Sequence, residues 1–174
     1  MLNSPSLQSL MGYIKPRNYL QLKGPNYMSK KRIGIAGAGN MGCAIAWAME
    51  TLGYDLIVTD QSPEAIERCQ QLLNNTSHRL ICGTSNMGFS SCDAVISSLP
   101  YHQNVNLAVF CIRKQIPYFD LGGSVGVSNQ INTYATTHAT QPVMTDLGLA
   151  PGWVNIIADH MFGEYIASEG KVPN

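Results

Sequence analysis

Apolar residues gather at Ile33-Gly34-Ile35-Ala36, and beyond a glycine-rich turn they recur at Met41, Ala44, Ile45, Ala48 and Leu52, the spacing of a helix with one inward face. The first run predicts a strand and the second a helix, with Gly53 placed as its C-cap. Asp55-Leu56-Ile57-Val58-Thr59-Asp60 then reads as a second strand, so the segment is a βαβ unit. Ser62-Pro63-Glu64 supplies an N-cap, a proline at the first helical position and an acid in the first turn. Ile66, Cys69, Leu72 and Leu73 share a face of the helix that follows, which is predicted to end near Asn74-Asn75.

The alternation continues to the end of the chain. His78 to Cys82 is predicted as a short edge strand, and Asp93-Ala94-Val95-Ile96-Ser97-Ser98-Leu99-Pro100 as a buried strand stopped by proline. Asn104 to Lys114 carries Val105, Ala108, Cys111 and Ile112 at helical spacing, and Pro117 to Leu121 resumes as a strand. A weaker helix through Ile131, Tyr134, Ala135 and His138 leads to a strand at Val143 to Leu147. Pro151-Gly152-Trp153 opens a final helix, with Val154, Ile157, Ala158 and Met161 expected to face inward. Six strand candidates separated by helices predict an α/β fold, a doubly wound, mostly parallel six-stranded sheet of the Rossmann type.

In such a sheet, ligands bind beyond the carboxyl ends of the strands, where the strand order reverses between the first and fourth. Gly37-Ala38-Gly39-Asn40-Met41-Gly42 lies at that place, between a strand and a helix. Gly37 is expected to make the turn, Gly39 to let the backbone approach a pyrophosphate, and Gly42 to let helix and strand pack closely. Free N–H groups of the helix then face the phosphate. Asp60 ends the second strand, where a carboxylate accepts hydrogen bonds from ribose hydroxyls and repels a 2'-phosphate. NAD is expected over NADP, since Gln61 and Ser62 bring no cation, although Arg68 lies one helix further on. Ser98, Leu99 and Pro100 are expected to form the opposite wall of the cleft. The cofactor-binding set is therefore Gly37, Gly39, Asn40, Met41, Gly42, Asp60, Ser98, Leu99 and Pro100. The plainer account of Ser98 and Pro100 is a strand end with a capped turn.

Composition narrows the partners. Eleven basic and eleven acidic residues among 174 leave no net charge, so nothing favours nucleic acid or an anionic membrane, and no run reaches transmembrane length. Five cysteines, Cys43, Cys69, Cys82, Cys92 and Cys111, without a C-x-x-C spacing, are read as reduced thiols of a cytoplasmic protein. Cys82 and Cys92 with His78 match no zinc spacing, so small buried residues are the reading and no metal is expected. Residues 1–27 hold Pro5, Pro16 and Pro25 without periodicity, and no acid precedes Glu50. That balance faintly resembles a transit peptide, but Met28-Ser29-Lys30-Lys31-Arg32 has the look of a native start, so 1–27 is assigned to a disordered or upstream extension.

Three segments resemble the saccharopine dehydrogenase and lysine 6-dehydrogenase family: Asp93 to Pro100, Tyr118-Phe119-Asp120-Leu121-Gly122-Gly123, and Gly148-Leu149-Ala150-Pro151-Gly152 followed by Val154-Asn155. With the glycine loop they span nearly all of residues 32–162. The resemblance implies an amino-acid oxidoreductase that moves hydride between a nicotinamide and a C–N bond, with a base that keeps the amine neutral. It also implies a second domain that supplies much of the amino-acid pocket and the subunit interface. The expected layout is thus a dinucleotide-binding domain at 28–162 and, at 163–174, the start of a crossing into a substrate domain. Oligomers or a partner chain would form through that domain. Tyr101, His102, Asp120 and Asp146 are candidate catalytic groups, none of them assigned. For His102 the plainer account is an exposed residue at a helix start, and for Asp120 and Asp146 a role in turns. A catalytically silent NAD-binding or interaction module is the competing function. A methyltransferase, which also uses a glycine loop, fits less well because Ile35-Ala36 and no acid precede Gly37.

Overall fold

The computed structural model describes residues 31–83 and 86–169, and the extension assigned at 1–27 lies outside them. Strands β1 (Arg32–Ala36), β2 (Asp55–Asp60), β3 (Arg79–Cys82), β4 (Ala94–Ser97), β5 (Tyr118–Asp120) and β6 (Val143–Met144) form one sheet. Its order is β3-β2-β1-β4-β5-β6, and every neighbouring pair is parallel. Helices α1 (Asn40–Thr51), α2 (Pro63–Leu72), α3 (Tyr101–Arg113), α4 (Val125–His138) and α5 (Trp153–Glu169) connect or follow the strands. Strand order reverses between β1 and β4, as a doubly wound sheet requires.

Alternation along the strands builds two cores. Ile33 and Ile35 of β1 with Leu56 and Val58 of β2 point to one face, where Cys43 and Ala46 of α1 and Ala65 and Cys69 of α2 cover them. Ala36, Ile57, Val95 and Tyr118 point to the other, beneath Leu107, Ala108 and Cys111 of α3 and Ile131 of α4. Each fully buried aliphatic side chain contributes about 1.5–3 kcal/mol relative to exposure, so the β1–β2–β4 centre anchors the fold. Gly34 has no side chain because Phe89 occupies the space: a Cβ there would lie 2.6 Å from its ring. Phe89 itself belongs to a 3-10 turn, Asn86–Ser91, which hydrophobic periodicity did not predict because a six-residue turn has no repeat to read.

The predicted elements stand, with shifted ends. Ser62 caps α2 through its side chain, which accepts from the Ala65 N–H at 3.1 Å. Helix α3 begins at Tyr101, ahead of the predicted Asn104, because Tyr101 and His102 are exposed and lend nothing to an apolar pattern. Strand β6 is shorter than predicted, since Asp146 adopts a left-handed φ of 64° that no strand continues through.

Two expectations are overturned. Val154, Ile157 and Met161 of α5 are 48%, 37% and 62% exposed, and Ala158 is exposed too, so the face expected to turn inward meets solvent. Their spacing specified a helix, but both faces of the sheet are already covered by α1 to α4. The helix also runs on through residue 163 to Glu169. The second correction is Cys82, which is exposed at the end of β3, whereas Cys43, Cys69, Cys92 and Cys111 are buried free thiols. Burial pushes Cys92 up to about 11 and Cys69 and Cys111 up to about 12, which keeps them protonated and inert. His78 sits at the opposite end of β3 from Cys82, with Nε2 3.1 Å from Glu50 and Nδ1 accepting the Leu56 N–H at 3.3 Å. Among the described residues no helix is long and apolar enough to cross a membrane.

Candidate functional site

Beyond the carboxyl ends of β1, β2 and β4 the glycine loop is held in one shape. Gly37 takes φ 94°, a conformation that L side chains rarely adopt, and donates its N–H to Thr59 O at 2.8 Å. A Cβ on Gly42 would collide with the Gly37 carbonyl, so this position fixes how closely α1 approaches β1. Gly39, the N-cap of α1, has nothing within 4 Å of where its Cβ would stand. That open side, next to the exposed Asn40 and Met41, leaves the first-turn N–H groups of α1 accessible to an anion such as a phosphate.

The end of β2 is tied to this loop. Asp60 is half-buried, and its Oδ2 accepts the Ala38 N–H at 2.6 Å while Oδ1 accepts the Ser62 N–H at 2.8 Å. One carboxylate therefore joins the glycine loop to the start of α2. This link was not legible in the sequence, because Ala38 offers only its backbone. A carboxylate has about four lone-pair sites, and two remain unfilled here.

The opposite wall divides its work. Ser98 donates to the carbonyls of Ala36 and Gly37, each at 3.0 Å, and so holds the loop from beneath. Its single proton is used there, which leaves only acceptor capacity toward a ligand. Leu99 lines a cavity of about 240 Å³ together with Ala36, Asp60 and Gln61. Pro100 is exposed and is the N-cap residue of α3. Below it Ser97 donates to Asn104 Oδ1 at 2.7 Å in a fully buried contact that pins α3 to β4.

The four catalytic candidates lie on the same pole in different settings. Tyr101 is 48% exposed and meets the exposed His102 edge-on, with ring centroids 5.8 Å apart. Asp120 is 1% exposed and accepts from Tyr118 Oη at 3.0 Å, from Gly122 N at 2.8 Å and from Asp146 N at 3.2 Å. Burial first, and then the Asp120 charge, push the Tyr118 hydroxyl above its ordinary range, so Tyr118 remains a donor. Asp146 accepts from Ser128 Oγ at 3.0 Å and from Thr145 Oγ1 at 3.3 Å. Asp120 and Asp146 thus lock the β5 and β6 ends together, while Tyr101 and His102 stand free at the start of α3.

The family described as the NAD binding domain of 6-phosphogluconate dehydrogenase matches residues 32–147. No curated protein sequence matches the chain. Among solved structures the chain is similar to saccharopine dehydrogenase (L-Glu forming) from Saccharomyces cerevisiae, at 17% identity and TM-score 0.60, covering 77% of this chain and 31% of that one. It is similar to the imine reductase from Myxococcus stipitatus in complex with NAD+, at 20% identity and TM-score 0.54, covering 68% of this chain and 40% of that one. It is also similar to the 3-hydroxyisobutyrate dehydrogenase of Mycobacterium tuberculosis with L-serine, at 17% identity and TM-score 0.53, covering 67% of this chain and 39% of that one. At these identities the likeness is one of fold, and the chain spans well under half the length of each.

Proposed function

The chain belongs to the family of the NAD binding domain of 6-phosphogluconate dehydrogenase, and from that membership we propose that it forms the cofactor-binding part of an NAD-dependent oxidoreductase acting on a C–N bond of an amino acid. The observation that carries the reading is the Asp60 carboxylate, anchored to Ala38 of the glycine loop and bordering a cavity. It suits two ribose hydroxyls and repels a 2'-phosphate, so NAD is the cofactor and NADP the weaker ligand. The substrate class rests on the resemblance of the Asp93, Tyr118 and Gly148 segments to saccharopine and lysine 6-dehydrogenases. In the oxidative direction the amine carbon would give hydride to the nicotinamide, the nitrogen would lose a proton to a base, and water would hydrolyse the imine.

A residue range of 28–162 for the nucleotide domain, a crossing at 163–174 and a cytoplasmic setting for the five free thiols belong to the same proposal. The test is titration of NADH followed by nicotinamide fluorescence, with saturation expected below millimolar cofactor; no saturable binding at millimolar NADH rejects the reading. A turnover assay with lysine and with saccharopine then addresses the substrate.

One observation favours a silent NAD-binding module instead. Asp120 and Asp146 spend their carboxylates on neighbours, and among the described residues no carboxylate partners His102 or Tyr101. Cofactor binding without turnover of either amine by the 174-residue chain supports that second reading.

A further inference from the structure

The cavity of about 240 Å³ beyond Asp60 has a composition that phosphate and ribose binding leave unexplained. Leu99 and Leu107 are among its apolar lining residues, and Gln61, Asn86, Gln103 and Asn106, four residues with side-chain amides, stand along its walls. Gln103 and Asn106 stand three residues apart on α3, so their side chains lie on one helix face with Leu107 beside them. Gln103 is half-buried and Asn106 exposed, and among the described residues neither amide hydrogen-bonds to a protein group. Asp60 is the only charged side chain lining the cavity among the described residues.

An apolar slot alone accepts any flat base. An amide adds a donor and an acceptor side by side, the pattern that matches the 6-amino group of adenine and an adjacent ring nitrogen, as Asn and Gln do when they read adenine in DNA. Resting on the assignment of NAD to this cleft, we infer that Gln103 and Asn106 read the base edge of the cofactor by hydrogen bonding, which makes the cleft selective for adenine and not merely receptive to a purine.

The 6-amino group is the atom set to remove. Calorimetric titration of the full chain with NAD, and with the dinucleotide in which unsubstituted purine replaces adenine, changes that group alone and adds no bulk. Loss of one good amide-to-base pair corresponds to roughly tenfold in affinity. NAD should therefore bind about tenfold tighter than the purine analogue. In Gln103→Leu combined with Asn106→Leu the ratio should fall to near one. Equal affinity of the two dinucleotides for the unaltered chain overturns the inference and leaves the NAD assignment standing. An unchanged tenfold ratio in the double variant also overturns it, because the selectivity then comes from other residues. Failure of both dinucleotides to bind the unaltered chain rejects the NAD assignment itself. The first comparison needs no substitution, so it holds even if the double variant does not fold.

Discussion

Two aspartates end parallel strands at the same pole of the sheet, Asp60 on β2 and Asp120 on β5, and their surroundings give them different work. Asp60 is half-buried, takes two backbone N–H groups and borders a cavity. Asp120 is sealed from solvent and takes three donors, among them the hydroxyl of the fully buried Tyr118. A carboxylate at a strand end can serve a ligand only where lone pairs and space are left over. Where both are used up, it is a clamp between loops.

The sharpest way to break this contrast is to remove the clamp. Asp120→Ala would leave the half-buried N–H groups of Gly122 and Asp146 without their acceptor and Tyr118 Oη with only the Asn104 carbonyl at 3.5 Å, and each stranded group costs about 1–3 kcal/mol. A loss of about 3 kcal/mol or more in denaturant-induced unfolding is expected, and a loss under 1 kcal/mol would show that the network does not hold β5 to β6. Asp60→Ala also strands the Ala38 and Ser62 N–H groups at a cost in stability, and should in addition weaken NAD affinity about tenfold while weakening NADP less. An unchanged NAD-to-NADP ratio in fluorescence titrations would mean that the carboxylate does not meet the ribose.

Ser62→Ala sharpens the distinction further, because the Ser62 backbone N–H still reaches Asp60 while the α2 cap is lost. It should cost about 1 kcal/mol of stability with NAD affinity unchanged. If affinity falls with it, the cap and the site are one unit.

The smallest effect is expected at a third carboxylate, at the other pole. Burial alone would raise the Glu50 carboxyl, but N–H groups of Asn74 and Asn75, His78 and the Asn74 side chain together hold it below its ordinary 4.5. A depressed folded value means this stabilisation is present above the unfolded pKa and is lost as pH falls through the folded one. Glu50→Gln should therefore flatten the decline of melting temperature below pH 4.5 without altering cofactor binding. An equally steep decline would remove Glu50 from the account.

Much of this molecule was legible before its coordinates. Strand β2 runs from Asp55 to Asp60, the bounds predicted around Leu56-Ile57-Val58, and Ser62-Pro63-Glu64 starts α2 as predicted. These features are local, carried by periodicity and by capping chemistry within a few residues. The glycine loop was legible for the same reason, since its turn and its close approach are properties of adjacent backbone. The 3-10 turn of Asn86–Ser91 was not, because Phe89 acquires its role only by filling the space above Gly34. The link from Asp60 to Ala38 was also hidden, joining side chain to backbone across 22 positions.

By itself, then, the chain determined which segments are strands and helices, their alternation into a doubly wound sheet, and a glycine-rich turn followed one strand later by an acid. Only the tertiary structure decided which carboxylates are spent, that Gln103 and Asn106 of α3 line the same cavity as Asp60, and that the apolar face of α5 meets solvent. The physical reason is the range of the interactions. Periodicity and capping act between residues a turn apart, whereas burial and hydrogen-bond saturation depend on which distant segments arrive to occupy the same space.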